Sequence, residues 1–117
     1  MRRATVPVTI TAYTSDHQPG WVEGYVTDAD GRRWAFNEIK QVFVSEPYLD
    51  ADTAYPVAGA TDCQVVEERD GVATVELLEI TLVDSDIDYP RVRVPSAVLS
   101  YYAPDTEPGS VLSSGDS

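Results

Sequence analysis

The chain reads as an all-β domain: a small antiparallel β-barrel, SH3-like or OB-like, of six or seven strands with at most a short helical turn. A β-sandwich is the alternative. Three observations predict the class. Sixteen Val, ten Thr and seven Tyr stand against six Leu and one Lys, and β-branched and aromatic side chains suit a pleated surface while straight-chain helix formers are scarce. Eight Pro and seven Gly punctuate the whole length. Apolar and polar residues alternate with period two in several short runs, the pattern of a half-buried strand.

The elements follow in order. Thr5 to Tyr13 places Val6, Val8, Ile10 and Ala12 on one face and Thr5, Thr9, Thr11 and Tyr13 on the other. Pro7 has no N–H, so this strand is expected at a sheet edge. After the loop Ser15 to Gly20, Trp21 to Thr27 and Arg33 to Glu38 form a hairpin around Asp28-Ala29-Asp30-Gly31, with Asp30-Gly31 expected to supply positive φ angles. Gly24 inside the first arm marks a bulge or a close backbone approach. Gln41 to Ser45 is a further short strand, and Glu46 to Ala60 a long loop with two prolines and a glycine. A second hairpin joins Asp62 to Glu68 with Val72 to Val83 through Asp70-Gly71. Its second arm changes phase between Val75, Leu77 and Leu78, Ile80, Leu82, so a bulge is expected near Leu77-Leu78, with a short helix through Thr74 to Leu82 as the competing reading. Asp84 to Pro90 is a loop and Arg91 to Val94 a strand. Pro95-Ser96 opens either a helical turn or a last strand through Ala97 to Tyr102. Residues 1–103 make one β-rich domain, since a single core serves about 100 to 200 residues, and residues 104–117, rich in Pro, Ser, Gly and acid, are expected to be a disordered acidic tail.

The net charge is −12, from 8 basic and 20 acidic residues. Nucleic acid and anionic membrane surfaces are excluded as expected partners, because both are bound through basic patches. One cysteine leaves no internal disulfide. No apolar run approaches a membrane span, and Met1-Arg2-Arg3 leads into polar alternation without an apolar signal core, so a cytoplasmic protein is expected. The charge is uneven: residues 61–90 hold nine acids and only Arg69, a net −8.

Signals for chemistry are weak. Ser15, Asp16 and His17 are near-consecutive loop residues, whereas a nucleophilic triad converges from separate elements. Cys63 opens a strand, where a lone cysteine is ordinarily a small buried hydrophobe. Asp84, Asp86 and Asp88 have the 1, 3, 5 spacing of a calcium loop, but Tyr89 and Pro95 stand where such a loop needs Gly and Glu. No phosphate cradle or GxSxG elbow occurs. No catalytic residue, metal or cofactor is expected, and the chain does not read as an enzyme. Trp21, Tyr25, Trp34 and Phe36 cluster on the first hairpin, either as barrel core or as an aromatic binding face. Arg32 and Arg33 read as a solvated hairpin end.

The run GWVEGYVTDADGRRWAFNE and the later Tyr55-Pro56 resemble a group of short bacterial proteins with no known activity. The shared features are Gly-Trp-Val-Glu at Gly20 to Glu23, an Asp-x-x-Gly-Arg turn at Asp28 to Arg32, Trp-x-Phe at Trp34 to Phe36 and a Tyr-Pro loop. The resemblance implies a bacterial source and a small stand-alone domain, and assigns no site.

The functional expectation is a non-catalytic protein-binding domain, immunity- or inhibitor-like, whose acidic face contacts a basic protein through Glu67, Glu68, Asp70, Asp84, Asp86 and Asp88. The alternative is a small-molecule or ion-binding barrel with a pocket lined by Trp21, Tyr25, Trp34 or Tyr55. A homodimer could form by pairing an uncovered edge at Thr5 to Tyr13 or Arg91 to Val94.

Overall fold

The longest strand organises the molecule. In the computed structural model, which describes residues 2–45 and 49–102, β1 runs from Arg2 to Ser15 and buries Ala4, Val6, Val8 and Ile10 on its inner face. One side of β1 pairs antiparallel with β5 (Val57–Arg69), from Arg2 opposite Val65 to Ile10 opposite Val57. Its other side is shared. β8 (Ser100–Tyr101) pairs at Ala4 and Thr5, and β2 (Trp21–Thr27) pairs from Thr9 onward. The expected edge position is therefore wrong: β1 is an interior strand. Pro7 is accommodated by a gap instead. The carbonyl of Arg3 accepts the Tyr102 N–H, so the odd residues of β1 direct their backbone groups toward β8 and β2. Pro7 falls between those two partners, where no donor is required.

β2 and β3 (Arg33–Ile39) form the first hairpin in continuous register from Trp21 opposite Ile39 to Thr27 opposite Arg33. Gly24 lies opposite Ile10 and Phe36, and a Cβ there would strike the Thr9 carbonyl and the Ile10 Cα. The close approach is real, and β1 carries a register shift beside it between Ile10 and Ala12. At the tip only Gly31 has positive φ (85°), while Asp30 does not. The Asp28 side chain does the remaining work, its Oδ1 accepting the backbone N–H groups of Asp30 and Arg32, both at 2.9 Å.

The expected strand at Gln41 to Ser45 is mostly a 3-10 turn (Lys40–Val42), followed by the two-residue β4 (Val44–Ser45) paired with Gly59 and Ala60 of β5. The expected loop to Ala60 is shorter: Val57 to Ala60 already belong to β5, held against Pro7 to Ile10. Glu46, Pro47 and Tyr48 lie outside the described residues.

β5 and β6 (Val72–Leu77) form the second hairpin, with Asp70 (φ 56°) and Gly71 (φ 81°) both left-handed at its turn. The phase change at Leu77-Leu78 is neither a bulge nor a helix. β6 ends at Leu77, the Leu78 N–H turns to the Asp62 carbonyl, and the chain leaves the ladder. The register shift of this hairpin sits on β5, between Val65 and Glu67. The connection 78–90 leads to β7 (Arg91–Pro95), and a 3-10 turn (Ser96–Val98) then precedes β8, so both readings of the last segment occur in succession. Residues 103–117, including the expected tail, lie outside the described residues.

The strands make one antiparallel sheet of order β3-β2-β1-β5-β6-β7, with β4 beside β5 and β8 beside β1, curled into a half-barrel rather than split into a sandwich. The inner faces supply the core, including Val22, Val26, Phe36, Cys63, Ala73, Val75, Leu77, Val92 and Val94. Phe36 stacks on Phe43 at 4.9 Å. Each such fully buried aliphatic or aromatic side chain stabilises by about 1.5–3 kcal/mol. Both outer edges are tied. Along β3, the connection 78–90 buries Ile80 and Leu82, and Val83 N–H donates to the Ala35 carbonyl at 2.8 Å. Along β7, the Arg93 carbonyl accepts the Ala29 N–H at 2.7 Å.

Candidate functional site

The four aromatics proposed to line a pocket do not share a face. Val26 opposes Trp34 and Gly24 opposes Phe36 on the inner face, whereas Trp21 and Tyr25 belong to the outer one. Trp34 packs against the core and donates its indole N–H to Asp28 Oδ2 at 3.0 Å. That bond, reinforced by the backbone donors of Arg32 and Asp30, holds the Asp28 carboxyl below the usual aspartate range. Tyr55, in the loop before β5, donates its hydroxyl to the Asp50 carbonyl at 2.8 Å. Tyr25 lines a cleft of about 340 Å³ that also holds Pro7, Thr27, Pro95 and Val98. Arg32 and Arg33 are exposed at the hairpin end, and their guanidinium groups lie 3.8 Å from the Trp34 ring centre and 4.4 Å from that of Tyr25.

His17 offers its backbone N–H to Ser15 Oγ at 3.1 Å. Cys63 is buried, as its strand position suggests, and burial pushes its thiol up to about 11. Among the described residues no three His, Cys, Asp or Glu side chains converge as a metal-binding group, and no helix is long and apolar enough to cross a membrane.

Folding separates the acidic segment into two populations. On the second hairpin, carboxylates meet arginines brought from elsewhere in the chain. Asp62 pairs with Arg3 at 3.3 Å and accepts the Tyr102 hydroxyl at 2.5 Å, a bond that holds the Tyr102 phenol above its usual range. Glu76 pairs with Arg91 at 3.2 Å and accepts the Gln64 amide at 2.9 Å. At the hairpin end, Glu67 pairs with Arg69 at 3.3 Å and Glu68 accepts the Tyr101 hydroxyl at 3.3 Å. Asp70 occupies the turn itself. The register explains the grouping: Gln64, Glu76 and Arg91 are successive cross-strand neighbours on the outer face.

The connection 78–90 is different. Asp84, Asp86 and Asp88 are exposed, and among the described residues none has an ion-pair partner. Between and beside them stand Val83, Ile87 and Tyr89, 65%, 63% and 58% exposed. Tyr89 adopts φ 57°, a left-handed conformation that bulky side chains rarely take. The segment is fixed at its base by buried Ile80 and Leu82 and by Glu38, whose Oε2 accepts both the N–H and the hydroxyl of Thr81 at 2.9 and 3.0 Å. An open depression of about 300 Å³ lies against it, lined by Glu38, Leu78, Glu79, Ile80, Asp88 and Tyr89 among others.

Of the six acids named from the sequence, the structure thus places Glu67, Glu68 and Asp70 at the tip that enters β6, and Asp84, Asp86 and Asp88 in the connection that leaves its other end. The apolar partners Val83, Ile87 and Tyr89, and Asp28 at the other hairpin, are not in that sequence-derived set. The alternation of acid and apolar residue through Val83 to Tyr89 was the available signal. No family model, characterised protein or solved structure matches the chain.

Proposed function

We propose that the chain is a non-catalytic protein-binding domain that engages a basic partner through the connection 78–90, in the manner of an immunity or inhibitor protein. The observation that carries this reading is the interleaving of Asp84, Asp86 and Asp88, without an ion-pair partner among the described residues, with exposed Val83, Ile87 and Tyr89 on one anchored segment. Carboxylates that are not neutralised steer a cationic surface and speed encounter. Apolar side chains beside them supply the water exclusion that charge alone lacks. The remaining hairpin acids are largely engaged within the molecule, so they support the field more than the contact.

The test is capture of a basic partner from the native source by the full chain, at low and high salt, with two variant sets. Replacing Asp84, Asp86 and Asp88 by Asn is expected to abolish capture, while Glu67→Gln, Glu68→Gln and Asp70→Asn together leave most of it. Equal loss in both sets, or capture insensitive to salt, contradicts the assignment.

A second reading is supported by the cleft beside Tyr25: a small-molecule site between the first hairpin tip and the β7–β8 turn. A metabolite thermal-shift screen addresses it, since a ligand bound to the native state raises Tm. A hit whose shift survives Tyr25→Leu places the ligand elsewhere.

A further inference from the structure

Four aromatic rings of this molecule each carry one of its own cations. Arg2 lies 3.8 Å from the Tyr101 ring centre, Arg32 3.8 Å from Trp34, Arg33 4.4 Å from Tyr25 and Lys40 6.0 Å from Tyr13. Tyr89 is one of the described rings that carry none. It is 58% exposed, and among the described residues no cation lies over it. The depression it lines combines three things that a cationic side chain requires. Leu78 and buried Ile80 give an apolar floor for a methylene stem. The Tyr89 ring supplies a π-face for the head group. Glu79 and Asp88, neither with an ion-pair partner among the described residues, supply carboxylates. Glu38 is already committed to Thr81 through one oxygen and adds negative potential from the β3 side.

From this we infer that the depression between Leu78, Ile80 and Tyr89 is a receptor for a single arginine side chain of the partner, its stem on the aliphatic floor and its guanidinium between the Tyr89 ring and the carboxylates of Glu79 and Asp88. Arginine is favoured over lysine because a planar guanidinium stacks on an aromatic face while offering a donor fork to carboxylates. A volume of about 300 Å³ holds one such side chain and excludes a folded element. The inference rests on the proposed function and sharpens it, turning an acidic contact into a pocket with one named occupant.

The test is methyl and aromatic NMR of the full chain titrated with N-acetyl-arginine-N-methylamide, with the citrulline analogue as neutral isostere and the lysine analogue as competing cation. Saturable shifts are expected at the Leu78 and Ile80 methyls and the Tyr89 ring, absent with citrulline and weaker with lysine. Tyr89→Phe keeps the response. Tyr89→Asn, which tolerates the left-handed backbone, weakens binding about fivefold or more, as does Glu79→Gln combined with Asp88→Asn. Shifts equal with citrulline, equal with lysine, or missing at Leu78 and Ile80 overturn the inference. If those methyls stay still while salt-dependent capture still requires Asp84 to Asp88, the arginine pocket falls and the proposed function survives. Loss of both removes both.

Discussion

The carboxylates of the β5–β6 hairpin and those of the connection that follows are neighbours in sequence and have opposite surroundings. Along the hairpin, Asp62 and Glu76 meet Arg3 and Arg91, delivered by β1 and β7, and they also accept bonds from Tyr102 and Gln64. Along the connection, Asp84, Asp86 and Asp88 meet no cation among the described residues, and the chain spends its burial on Ile80 and Leu82 instead. A segment's formal charge is therefore not its surface charge. Strand pairing decides which acids are neutralised, because a sheet brings cross-strand side chains within about 5 Å, and an irregular connection recruits no such partners.

The largest effect is expected from Leu82→Ala, which empties an anchor of the connection and should cost about 2–5 kcal/mol in chemical denaturation. A loss below about 1 kcal/mol would mean that the connection is not part of the core and that its charges are not held in place. Next comes Glu76→Gln, on a side chain only 19% exposed, which removes the Arg91 pair and should cost about 1 kcal/mol, less at high salt. Exchanging Asp84, Asp86 and Asp88 together for Asn should change stability by no more than about 0.5 kcal/mol, or raise it by relieving repulsion. A marked destabilisation would show that these carboxylates have structural partners after all.

The last prediction is read in pH. The folded pKa of Asp28 lies below its ordinary value of 3.8, chiefly through the Trp34 indole. Its contribution is therefore complete above the ordinary carboxylate range and is lost as pH falls through the folded pKa. Carboxyl NMR should show Asp28 titrating below 3.8 in the wild type and moving toward it in Trp34→Phe. No movement would mean that the indole bond does not set the titration.

Much of the fold is legible in the sequence where local chemistry dictates it. Asp70-Gly71 turns as its residue types require, and Gly24 marks a backbone contact that no side chain could fit. The all-β class follows from composition. What escapes reading is long-range. Ala58 to Ala60, two alanines around a glycine, have little strand propensity and are held extended between Pro7 to Thr9 of β1 and, at Gly59 and Ala60, β4. The phase change at Leu77-Leu78 locates a break, but nothing local distinguishes a bulge from a strand that simply ends. For the candidate site, the acids were visible and their neutralisation was not, since Arg3 and Asp62 are 59 residues apart. The interior place of β1 was equally hidden, since its partners on both sides come from β2, β5 and β8. The outer side of β7 carries Arg91, Arg93 and Pro95, and there the Arg93 carbonyl is taken by the Ala29 N–H.

The gap at Pro7 has a consequence for how this molecule meets others. A foreign strand templates itself on a sheet by finding alternating donors and acceptors. Between β8 and β2 the flank of β1 is open for a single residue, and that residue offers a carbonyl and no hydrogen to give. From Arg2 to Ile10 the longest strand of the protein is thus a closed register, and along that stretch a second chain finds no run of free backbone groups on which to pair.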